Sequence, residues 1–393
     1  MKKKLLFVIP SLDAGGAEKS LVNLLNTLDF SKVEVDLFLF KHNGLFLNLV
    51  PKEVSILPLN KDYQLFSKNL GASIVSLFLS FKIVLLINRI LFAINNKIYK
   101  NNAIAEQQGW KYLKKSFTSL PKKYDAAIGF LEKSSLYFVA DLVKADKKIG
   151  FIHNDYNKLG LDKSFDQIYF NKFNKIVTVS KECVSVLKQE FPLQKDKFCL
   201  MHNIVSGELI HKMANEKINF ISQNAIVSVG RLHPQKGFDI AIEAAKILKE
   251  KNINFCWYVI GEGQERQKLE QLIANYNLQE NFKLLGLKQN PYPYIKHATI
   301  YAQTSLYEGK SIAIDEAMIL HTPIVVTNFS TAKDQIIDNY NGLIAEMNPE
   351  SIVNAILKYF EDKNFTQKIG NNLQQNNYTT HHEIELFYKL IND

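Results

Sequence analysis

The 393-residue sequence predicts an α/β protein with two Rossmann-like domains, each built on a parallel sheet, that face a cleft. Short continuous apolar runs alternate with amphipathic runs, which is the pattern of strands buried on both faces and of the helices that cover them. Loops with glycine or polar residues follow several strands, where open α/β sheets bind ligands. The alternation stops over residues 206–222 and then restarts, so we interpret that interval as a linker.

The first half opens with a predicted buried strand at residues 5–9, because this apolar run is shorter than the core of a secretory signal. Gly15 and Gly16 follow, ahead of a predicted helix at residues 17–28, in an arrangement that commonly binds phosphate. His153 begins a polar cluster directly after a strand. The remaining strands of this half are predicted at residues 33–40, 54–59, 125–131, 148–152 and 176–180, and its later helices at residues 134–143 and 181–189.

The second half repeats the alternation of strands and helices. Its strands are predicted at residues 225–229, 254–260, 282–285, 298–302 and 324–327, and its helices at residues 239–251, 265–276, 311–320 and 382–391. Two halves of similar size, each alternating in this way, predict two separate parallel sheets.

Two carboxylates, Glu308 and Glu316, flank the start of the helix predicted at residues 311–320. Glu308 lies in the loop before this helix, and Glu316 lies one to two turns inside it. The first backbone N–H groups, at Lys310, Ser311 and Ile312, are expected to point into one space, and a helix N-terminus favours an anion such as phosphate. The stretch therefore suits a phosphorylated sugar or nucleoside, although acidic residues are also common at helix starts without any ligand.

Two cations, Arg231 and Lys236, lie in the loop after the strand at residues 225–229, between Gly230 and Gly237. On a flexible loop, the guanidinium of an arginine, with its forked N–H donors, and the compact ammonium charge of a lysine can together bind a diphosphate. An isolated pair of this kind is more often a solvated surface feature. The surrounding sequence therefore has to decide between the two interpretations.

That surrounding sequence resembles the retaining glycosyltransferases of family 4, which have the GT-B fold. The Glu308-x7-Glu316 spacing, the string GRLHPQKGFD at residues 230–239 and the string TPIVVT at residues 322–327 carry the resemblance. It extends over almost all of the second half and over landmarks near residues 15, 153 and 180. It implies two Rossmann-like domains facing a cleft, with a C-terminal helix that crosses back to the first domain.

The resemblance also implies roles for individual residues. Glu308 would contact the donor sugar, and Glu316 would hold the ribose hydroxyls. His153, in the string FIHND, would donate a hydrogen bond to the sugar or its phosphate, so it joins Glu308 as a candidate catalytic residue. The main alternative for a lone histidine is a place in the core or a loop cap.

Further donor-binding residues follow from the same resemblance. The backbone at Gly230, Gly261, Gly263 and Leu287 would contact the diphosphate, ribose or nucleobase, beside the clamp of Arg231 and Lys236. Gly15 and Gly16 would form a loop close to the donor phosphate and the acceptor. The chain departs from the family at Lys310-Ser311, where many members carry an aromatic or apolar residue and then Gly or Pro, and this departure leaves the donor undefined.

No metal and no resident cofactor are expected. The sequence contains no Asp-x-Asp, the motif with which other glycosyltransferases hold a metal-bridged nucleotide. Arg231, Lys236 and the helix N-terminus would then neutralise the leaving diphosphate. The three cysteines, Cys183, Cys199 and Cys256, have no metal-ligand spacing and indicate a reduced, cytosolic protein.

The net charge of +9 is concentrated in the first half. Residues 1–205 hold 30 Lys and Arg against 18 Asp and Glu, whereas residues 206–393 hold 18 against 21. A basic face fits an anionic membrane, a lipid diphosphate or a nucleic acid. The sequence has no recognisable DNA- or RNA-binding motif, so we expect no nucleic-acid partner.

Residues 74–94 are strongly apolar but are interrupted by Lys82 and Arg89, so they do not fit a membrane-spanning helix. Lysines follow closely, at Lys100, Lys111, Lys114, Lys115, Lys122 and Lys123. We predict an amphipathic helical region that lies on an anionic membrane surface, with reversible and salt-sensitive attachment. The alternative is a helical pair buried in a large domain.

The sequence therefore predicts a metal-independent, retaining glycosyltransferase. It would transfer a hexosyl or N-acetylhexosaminyl group from a nucleoside diphosphate sugar, expected to be UDP-linked, to a lipid-linked or polysaccharide acceptor of a surface glycan. Its expected location is the cytoplasm, peripheral on the inner face of the cell membrane. The predicted domains are residues 1–205 for the acceptor, 206–375 for the nucleotide sugar and 376–393 for the returning helix. A GT-B nucleotide-sugar epimerase and a catalytically inactive GT-B scaffold subunit remain the alternatives.

Overall fold

The computed structural model describes residues 2–218 and 224–392, and these contain two parallel sheets. The strands of the first sheet are β1 (Lys3–Ile9), β2 (Val33–Leu39), β3 (Val54–Ile56), β4 (Lys123–Gly129), β5 (Lys144–Ile152), β6 (Lys175–Thr178) and β7 (Phe198–Leu200). Those of the second sheet are β8 (Ala225–Val229), β9 (Cys256–Ile260), β10 (Phe282–Leu284), β11 (Ile300–Gln303), β12 (Ile324–Thr327) and β13 (Leu343–Ala345).

Helices connect most of these strands. They are α1 (Gly16–Thr27), α2 (Lys61–Phe66), α3 (Leu70–Leu79), α4 (Ile83–Ile98), α5 (Asn102–Leu113), α6 (Ser134–Leu142), α7 (Lys163–Phe170), α8 (Lys181–Glu190), α9 (Gly207–Met213), α10 (Phe238–Glu250), α11 (Arg266–Asn275), α12 (Tyr292–His297), α13 (Ile312–Ile319), α14 (Pro349–Glu361), α15 (Lys363–Gln374) and α16 (Glu383–Asn392). Polar caps fix several starts, and Ser180 Oγ, for example, accepts the N–H of Cys183 at 3.1 Å ahead of α8.

The contacts divide the chain into two units. The first unit holds the residues up to Asp13, Leu24–Met201 and the residues from Ile384 onward. The second unit holds Ala14–Asn23 and His202–Glu383, so residues 16–23 of α1 group with the second sheet. The predicted domain boundaries at 205 and 375 stay a prediction.

Both sheets are doubly wound. The first has the strand order β3-β2-β1-β4-β5-β6-β7, and the second has the order β10-β9-β8-β11-β12-β13. In each sheet the chain first adds strands on one side and then returns to add strands on the other. Ligands bind where the order reverses, at the carboxyl ends of the strands. In the second sheet this switch point lies between β8 and β11. The two parallel sheets confirm the two-sheet α/β fold that was predicted from the sequence.

The strands are apolar because both of their faces are covered. Leu5, Leu6, Phe7, Val8 and Ile9 of β1 are all 0% exposed, which explains the unbroken apolar run at the start of the sequence. The last helix, α16, packs on this same strand as part of the first unit. The rings of Phe7 and Phe387 stack with their centroids 5.8 Å apart.

The interval predicted as a linker, residues 206–222, contains a helix that the sequence pattern did not show. Residues 207–213 form α9, and the Oγ of Ser206 accepts the N–H of Leu209 at 3.5 Å to cap it. The helix is too short to show a full apolar period, which explains why the pattern missed it. Residues 219–223 of the predicted linker lie outside the described residues.

The apolar segment at residues 74–94 is not one helix. It falls within α3 and α4, which are joined at Ser80, Phe81 and Lys82. One face of the pair is buried, with Leu77 and Leu85 packed against Phe66. In residues 2–218 and 224–392, no helix is both long enough and apolar enough to cross a membrane.

Candidate functional site

The loops after β8 and β11 meet at the switch point of the second sheet. The N–H of Leu306 donates to the carbonyl of Gln235 at 2.8 Å, and Thr304 Oγ1 donates to the carbonyl of Lys236 at 3.0 Å. Gly237 has a φ of +59°, and a Cβ there would lie 2.2 Å from the carbonyl oxygen of Thr304. Only glycine allows this approach, which places Lys236 beside the loop that carries Glu308.

Glu308 is buried, and one of its two carboxylate oxygens is heavily hydrogen-bonded. Its Oε1 accepts from Lys236 Nζ at 2.5 Å, from Ser305 Oγ at 2.6 Å and from Gln303 Nε2 at 3.1 Å. Its Oε2 has a contact of 3.4 Å from Gln235 Nε2. Lone-pair capacity therefore remains at Oε2, the oxygen that can accept a hydrogen bond from a substrate hydroxyl.

The loop that carries Glu308 is also held through its backbone. Thr331 Oγ1 donates to the Glu308 carbonyl at 3.0 Å, and Gln235 Nε2 donates to the Tyr307 carbonyl at 2.9 Å. Gln235 follows β8 and Thr331 follows β12, the two strands that flank β11. These two hydrogen bonds hold the carboxylate in one position, which a preorganised site requires.

Glu316, inside α13, is 1% exposed and forms an ion pair with Lys19 of the segment Ala14–Asn23. Its Oε1 also accepts the hydroxyl of Tyr292 at 3.0 Å. The Lys19 ammonium lies 4.7 Å from the centroid of the Tyr292 ring. The other oxygen, Oε2, is buried and has no hydrogen-bond partner among the residues that the structure describes.

The environment of Lys19 keeps its ammonium charged. Burial lowers the pKa of Lys19, but the negative charge of Glu316 and hydrogen bonds from Lys19 to Glu316 and Tyr292 outweigh that effect and raise the pKa above its ordinary value. Burial raises the pKa of the Tyr292 hydroxyl, as does the charge of Glu316. Tyr292 therefore stays protonated and donates to the Glu316 carboxylate.

The start of α13 is more occupied than the sequence indicates. The N–H of Ser311 donates to Gln335 Oε1 at 2.9 Å, and Gln335 Nε2 donates back to the Ser311 carbonyl at 2.9 Å. The Lys310 ammonium forms an ion pair with Asp315, and both side chains are buried. Because Ser311 already has a partner, the predicted anion site rests on the N–H groups of Lys310 and Ile312, and it stays a prediction.

Glycines join the loops after β8 and β9. Gly261 has a φ of +157°, and a Cβ at this position would lie 1.8 Å from the carbonyl oxygen of Gly230. A Cβ at Gly263 would lie 2.3 Å from the carbonyl oxygen of Leu232. The structure thus brings Gly230 and Gly261 together, and Leu287 follows β10 as a 45% exposed side chain.

Arg231 lies in the same loop with an exposed side chain. Its partner in the predicted clamp, Lys236, is instead half-buried against Glu308. The two cations therefore differ in setting, since one is exposed to solvent and the other is fixed by a carboxylate. Gly15 directly precedes α1 and Gly16 is its first residue, and both group with the second unit.

His153 lies in the first unit, after β5, and is 8% exposed. Its ring stacks on Phe151, with centroids 5.8 Å apart, and lies 5.0 Å from the ring of Phe130. Its backbone N–H donates to Glu132 Oε2 at 3.2 Å, and Asn154 Nδ2 donates to Glu132 Oε1 at 3.0 Å. The buried Glu132 carboxylate thus fixes the turn that carries His153.

Sequence reasoning missed four polar residues that hold Glu308 and Glu316 in the second unit, namely Lys19, Gln235, Tyr292 and Gln303. In the first unit it missed Glu132, which holds the turn that carries His153. Gln303 had a signal, since it is a polar residue at the end of an apolar strand. The partners of Lys19 and Tyr292 are distant in sequence, so no local pattern could identify them.

Residues 213–376 match the family described as Glycosyl transferases group 1. A poly(ribitol-phosphate) alpha-N-acetylglucosaminyltransferase of Staphylococcus aureus is 26% identical over 63% of this chain and 51% of its own length. An N-acetylgalactosamine-N,N'-diacetylbacillosaminyl-diphospho-undecaprenol 4-alpha-N-acetylgalactosaminyltransferase of Campylobacter jejuni is 29% identical over 54% of this chain and 57% of its own length. The chain spans about half the length of the curated relatives it matches.

Solved structures extend the similarity over nearly the whole chain. Anabaena HepE in complex with UDP-glucose has a TM-score of 0.70 and 16% sequence identity, over 98% of each chain. At this identity the likeness establishes the fold alone. The fold is GT-B, as the sequence predicted, and the second half resembles the group 1 glycosyl transferases.

Proposed function

We propose that the chain is a retaining, metal-independent glycosyltransferase of family 4 that uses a nucleoside diphosphate sugar. One observation carries the proposal. Glu308 and Glu316 are both buried, and each has one oxygen engaged by a lysine. Within residues 2–218 and 224–392, the other oxygen of Glu308 has one contact at 3.4 Å and that of Glu316 has no hydrogen-bond partner. Carboxylates held in this way are suited to accept hydrogen bonds from the hydroxyls of a sugar and a ribose.

The positive charges beside Glu308 suit the diphosphate that joins these two sugars. Lys236 contacts Glu308 and lies in the same loop as the exposed Arg231, so both cations come from the end of β8. In the proposed binding mode, Glu308 takes the donor sugar and Glu316 takes the ribose. Arg231 and Lys236 then neutralise the charge that builds up on the leaving diphosphate.

The proposed reaction is a transfer on the front face of the donor sugar. The acceptor hydroxyl attacks the anomeric carbon on the side from which the diphosphate leaves, so the configuration is retained. The bond from the anomeric carbon to the diphosphate breaks, a bond to the acceptor oxygen forms, and a diphosphate oxygen takes the acceptor proton. His153 is proposed to donate a hydrogen bond to the sugar or its phosphate.

We further propose a UDP-linked hexose or N-acetylhexosamine as donor and a lipid-linked or polysaccharide acceptor, in surface glycan synthesis at the inner face of the cell membrane. The names of the relatives support the class of acceptor. They specify poly(ribitol-phosphate) in one case and a diphospho-undecaprenol in two others. The structure of HepE with UDP-glucose supports the nucleotide.

A panel of nucleotide sugars tests the proposal. The purified chain is incubated with each donor and with polyprenyl diphosphate-linked sugars, and both the released nucleotide and the anomeric configuration of the product are measured. We expect release with one donor, retention of configuration, and no loss of activity with a chelator. Glu308→Gln should abolish transfer, whereas Glu270→Gln, an exposed change on α11, should leave it intact.

The same panel separates the two alternatives. An epimerase would convert the nucleotide sugar, or release its epimerised sugar, without any acceptor. A scaffold subunit would release no nucleotide from any donor of the panel, and calorimetry with the same donors would show no binding. Either result, or an inverted product, would overturn the proposed reaction.

A further inference from the structure

The pair of helices α3 and α4 presents an apolar surface to solvent. Among the described residues, 23 large apolar side chains are exposed, and 13 of them lie between Leu70 and Tyr99. On α4 the exposed residues Ile83, Ile87, Ile90 and Ile94 recur every three or four positions, so they form one stripe. Soluble monomers rarely expose a contiguous apolar patch of more than a few hundred Å² without a partner.

The turn between the two helices is the most exposed part of this surface. Phe81 is 90% exposed and has a φ of +56°. The N–H of Lys82 donates to the Leu77 carbonyl at 3.0 Å, which is the helix-ending arrangement that normally places glycine at the residue before it. A bulky aromatic in that conformation is unfavourable for folding and gains nothing from burial in the chain itself.

The inner face of the pair is packed firmly, so the apolar outer face is not a sign of a loose segment. Arg89 Nε donates to the Phe66 carbonyl at 2.8 Å, and Asn95 Nδ2 donates to the Ala105 carbonyl at 2.7 Å. Leu77 and Leu85 lie in the core beneath. The hairpin therefore holds its outward side chains on a fixed platform.

The charge around the hairpin identifies the partner. Residues 67–105 contain no Asp or Glu but contain Lys68, Lys82, Arg89, Lys97 and Lys100. Lys82 pairs with Asp62 of α2, and the other four cations have no carboxylate partner among the described residues. An apolar surface with this excess of cations complements the interface of a bilayer with anionic lipid headgroups. At about 1.5 Å per residue, the 16 residues of α4 reach about 24 Å, which is shorter than the ~30 Å apolar core of a bilayer. The helices can thus lie in one leaflet without crossing it.

We propose that the α3–α4 hairpin inserts its apolar face, led by Phe81, into one leaflet of an anionic membrane. This inference specifies the membrane contact that the proposed function requires. It also changes the expected mode of attachment. Three of the six lysines between Lys100 and Lys123 pair with carboxylates of the chain itself, namely Lys114, Lys122 and Lys123. Insertion of apolar side chains, which salt does not screen, therefore dominates over electrostatic attraction.

Tryptophan quenching tests the insertion directly. Phe81→Trp is compared with Leu193→Trp, a matched control that is 82% exposed elsewhere in the first unit. Vesicles of phosphatidylglycerol and phosphatidylcholine carry bromine on the acyl chains, and the signal of the buried native Trp110 and Trp257 is subtracted with wild-type protein. We expect a blue shift and quenching for Phe81→Trp and neither for Leu193→Trp.

Vesicle flotation gives a second, quantitative measurement. Because burying one large apolar side chain favours binding by roughly tenfold or more, Val84→Asp with Ile87→Asp should lower vesicle binding by at least about a hundredfold. The control Leu193→Asp should leave binding unchanged. High salt should weaken wild-type binding while much of the protein still floats with the vesicles.

Three outcomes would overturn the insertion. They are the absence of wild-type flotation, equal quenching of both tryptophan variants, and a wild-type dimer that Ile87→Asp dissociates while vesicle binding is missing. The last outcome would assign the surface to a second copy of the chain. Neither vesicle assay contains donor or acceptor, so their failure is distinct from a failure of the proposed transfer reaction.

Discussion

Removing the ammonium of Lys19 should destabilise the second unit strongly. Lys19→Met keeps most of the side-chain length. Of the partners that the structure describes, it leaves the Glu316 carboxylate, which is 1% exposed, with the Tyr292 hydroxyl alone. Removing one partner of a buried ion pair costs about 3–5 kcal/mol. The Lys19 side chain is 18% exposed, so water offsets part of this loss and we expect ~3 kcal/mol.

A thermal melt can measure this effect in the second unit alone. Trp257 belongs to that unit, and Trp110 belongs to the first, so a Trp110→Phe background makes tryptophan fluorescence report on Trp257. For a domain of this size, about 3 kcal/mol corresponds to a fall of roughly 6–12 °C in the midpoint. The variant should also bind nucleotide more weakly, because Glu316 loses its fixed orientation.

Two further variants decide whether the ion pair is the cause. Lys246→Met removes an exposed lysine that lies 3.7 Å from Glu250, and it should change the stability by less than about 0.5 kcal/mol. The double variant Lys19→Met with Glu316→Gln removes both charges and should be more stable than Lys19→Met alone. A Lys19→Met midpoint within the range of the Lys246→Met control would refute the reasoning, as would strict additivity in the double variant.

Three other changes test separate parts of the structure. Arg231→Ala should weaken nucleoside diphosphate binding by about tenfold or more in calorimetry, because a charge-assisted contact contributes roughly 1.5–3 kcal/mol, and unchanged affinity would remove Arg231 from the site. Gly261→Ala, whose Cβ would lie 1.8 Å from the Gly230 carbonyl, should disrupt both loops and abolish nucleotide binding, whereas Gly370→Ala, with no atom within 4 Å of its Cβ, should be neutral or slightly stabilising. Burial raises the pKa of the Asp166 carboxyl, so the folded state binds the carboxyl proton more tightly than the unfolded state does. The protonated carboxyl therefore stabilises the folded state fully below about pH 4, and this stabilisation is lost as the pH rises through the pKa of the folded state. Asp166→Asn should remove this dependence of the unfolding free energy on pH, as measured by denaturant titrations at several pH values. If wild type and variant show the same dependence, another group causes it.

Much of the fold could be predicted because buried parallel strands leave a local signature. β1 and β8 were predicted at their observed positions within two residues, since short apolar runs are typical of strands buried on both faces, and β8 contains a single polar residue, Ser228. The helices α14 and α15 were missed, as were the three-residue strands β7 and β13. β3 and β10 also have three residues but were predicted as parts of longer segments, at residues 54–59 and 282–285. A three-residue strand alone is too short to show a period, and its position depends on the neighbouring strand with which it pairs.

The candidate site was predictable to the extent that its residues follow strands. Lys236 and Glu308 were both selected from loops at strand ends, and the structure places them in direct contact although they lie 72 positions apart. The sequence could not reveal that the Gln335 side chain accepts a hydrogen bond from the N–H of Ser311. This bond depends on how the loop after β12 packs against the start of α13. The pairing of Lys19 with Glu316 could not be predicted for the same reason, since the two residues are distant in sequence.

The sequence by itself determined the two-sheet architecture, the strand ends at which we propose that a ligand binds, and the chemical types of the residues there. These features depend on local periodicity and on the preference of each residue for burial, and both can be recognised from residues that are close in sequence. Only the tertiary structure decided which oxygen of each glutamate is engaged, that Lys19 pairs with Glu316, and that the apolar stripe of α4 faces solvent. Periodicity shows that a helix has an apolar face but not what covers it, because the covering group comes from a distant part of the chain or from another molecule.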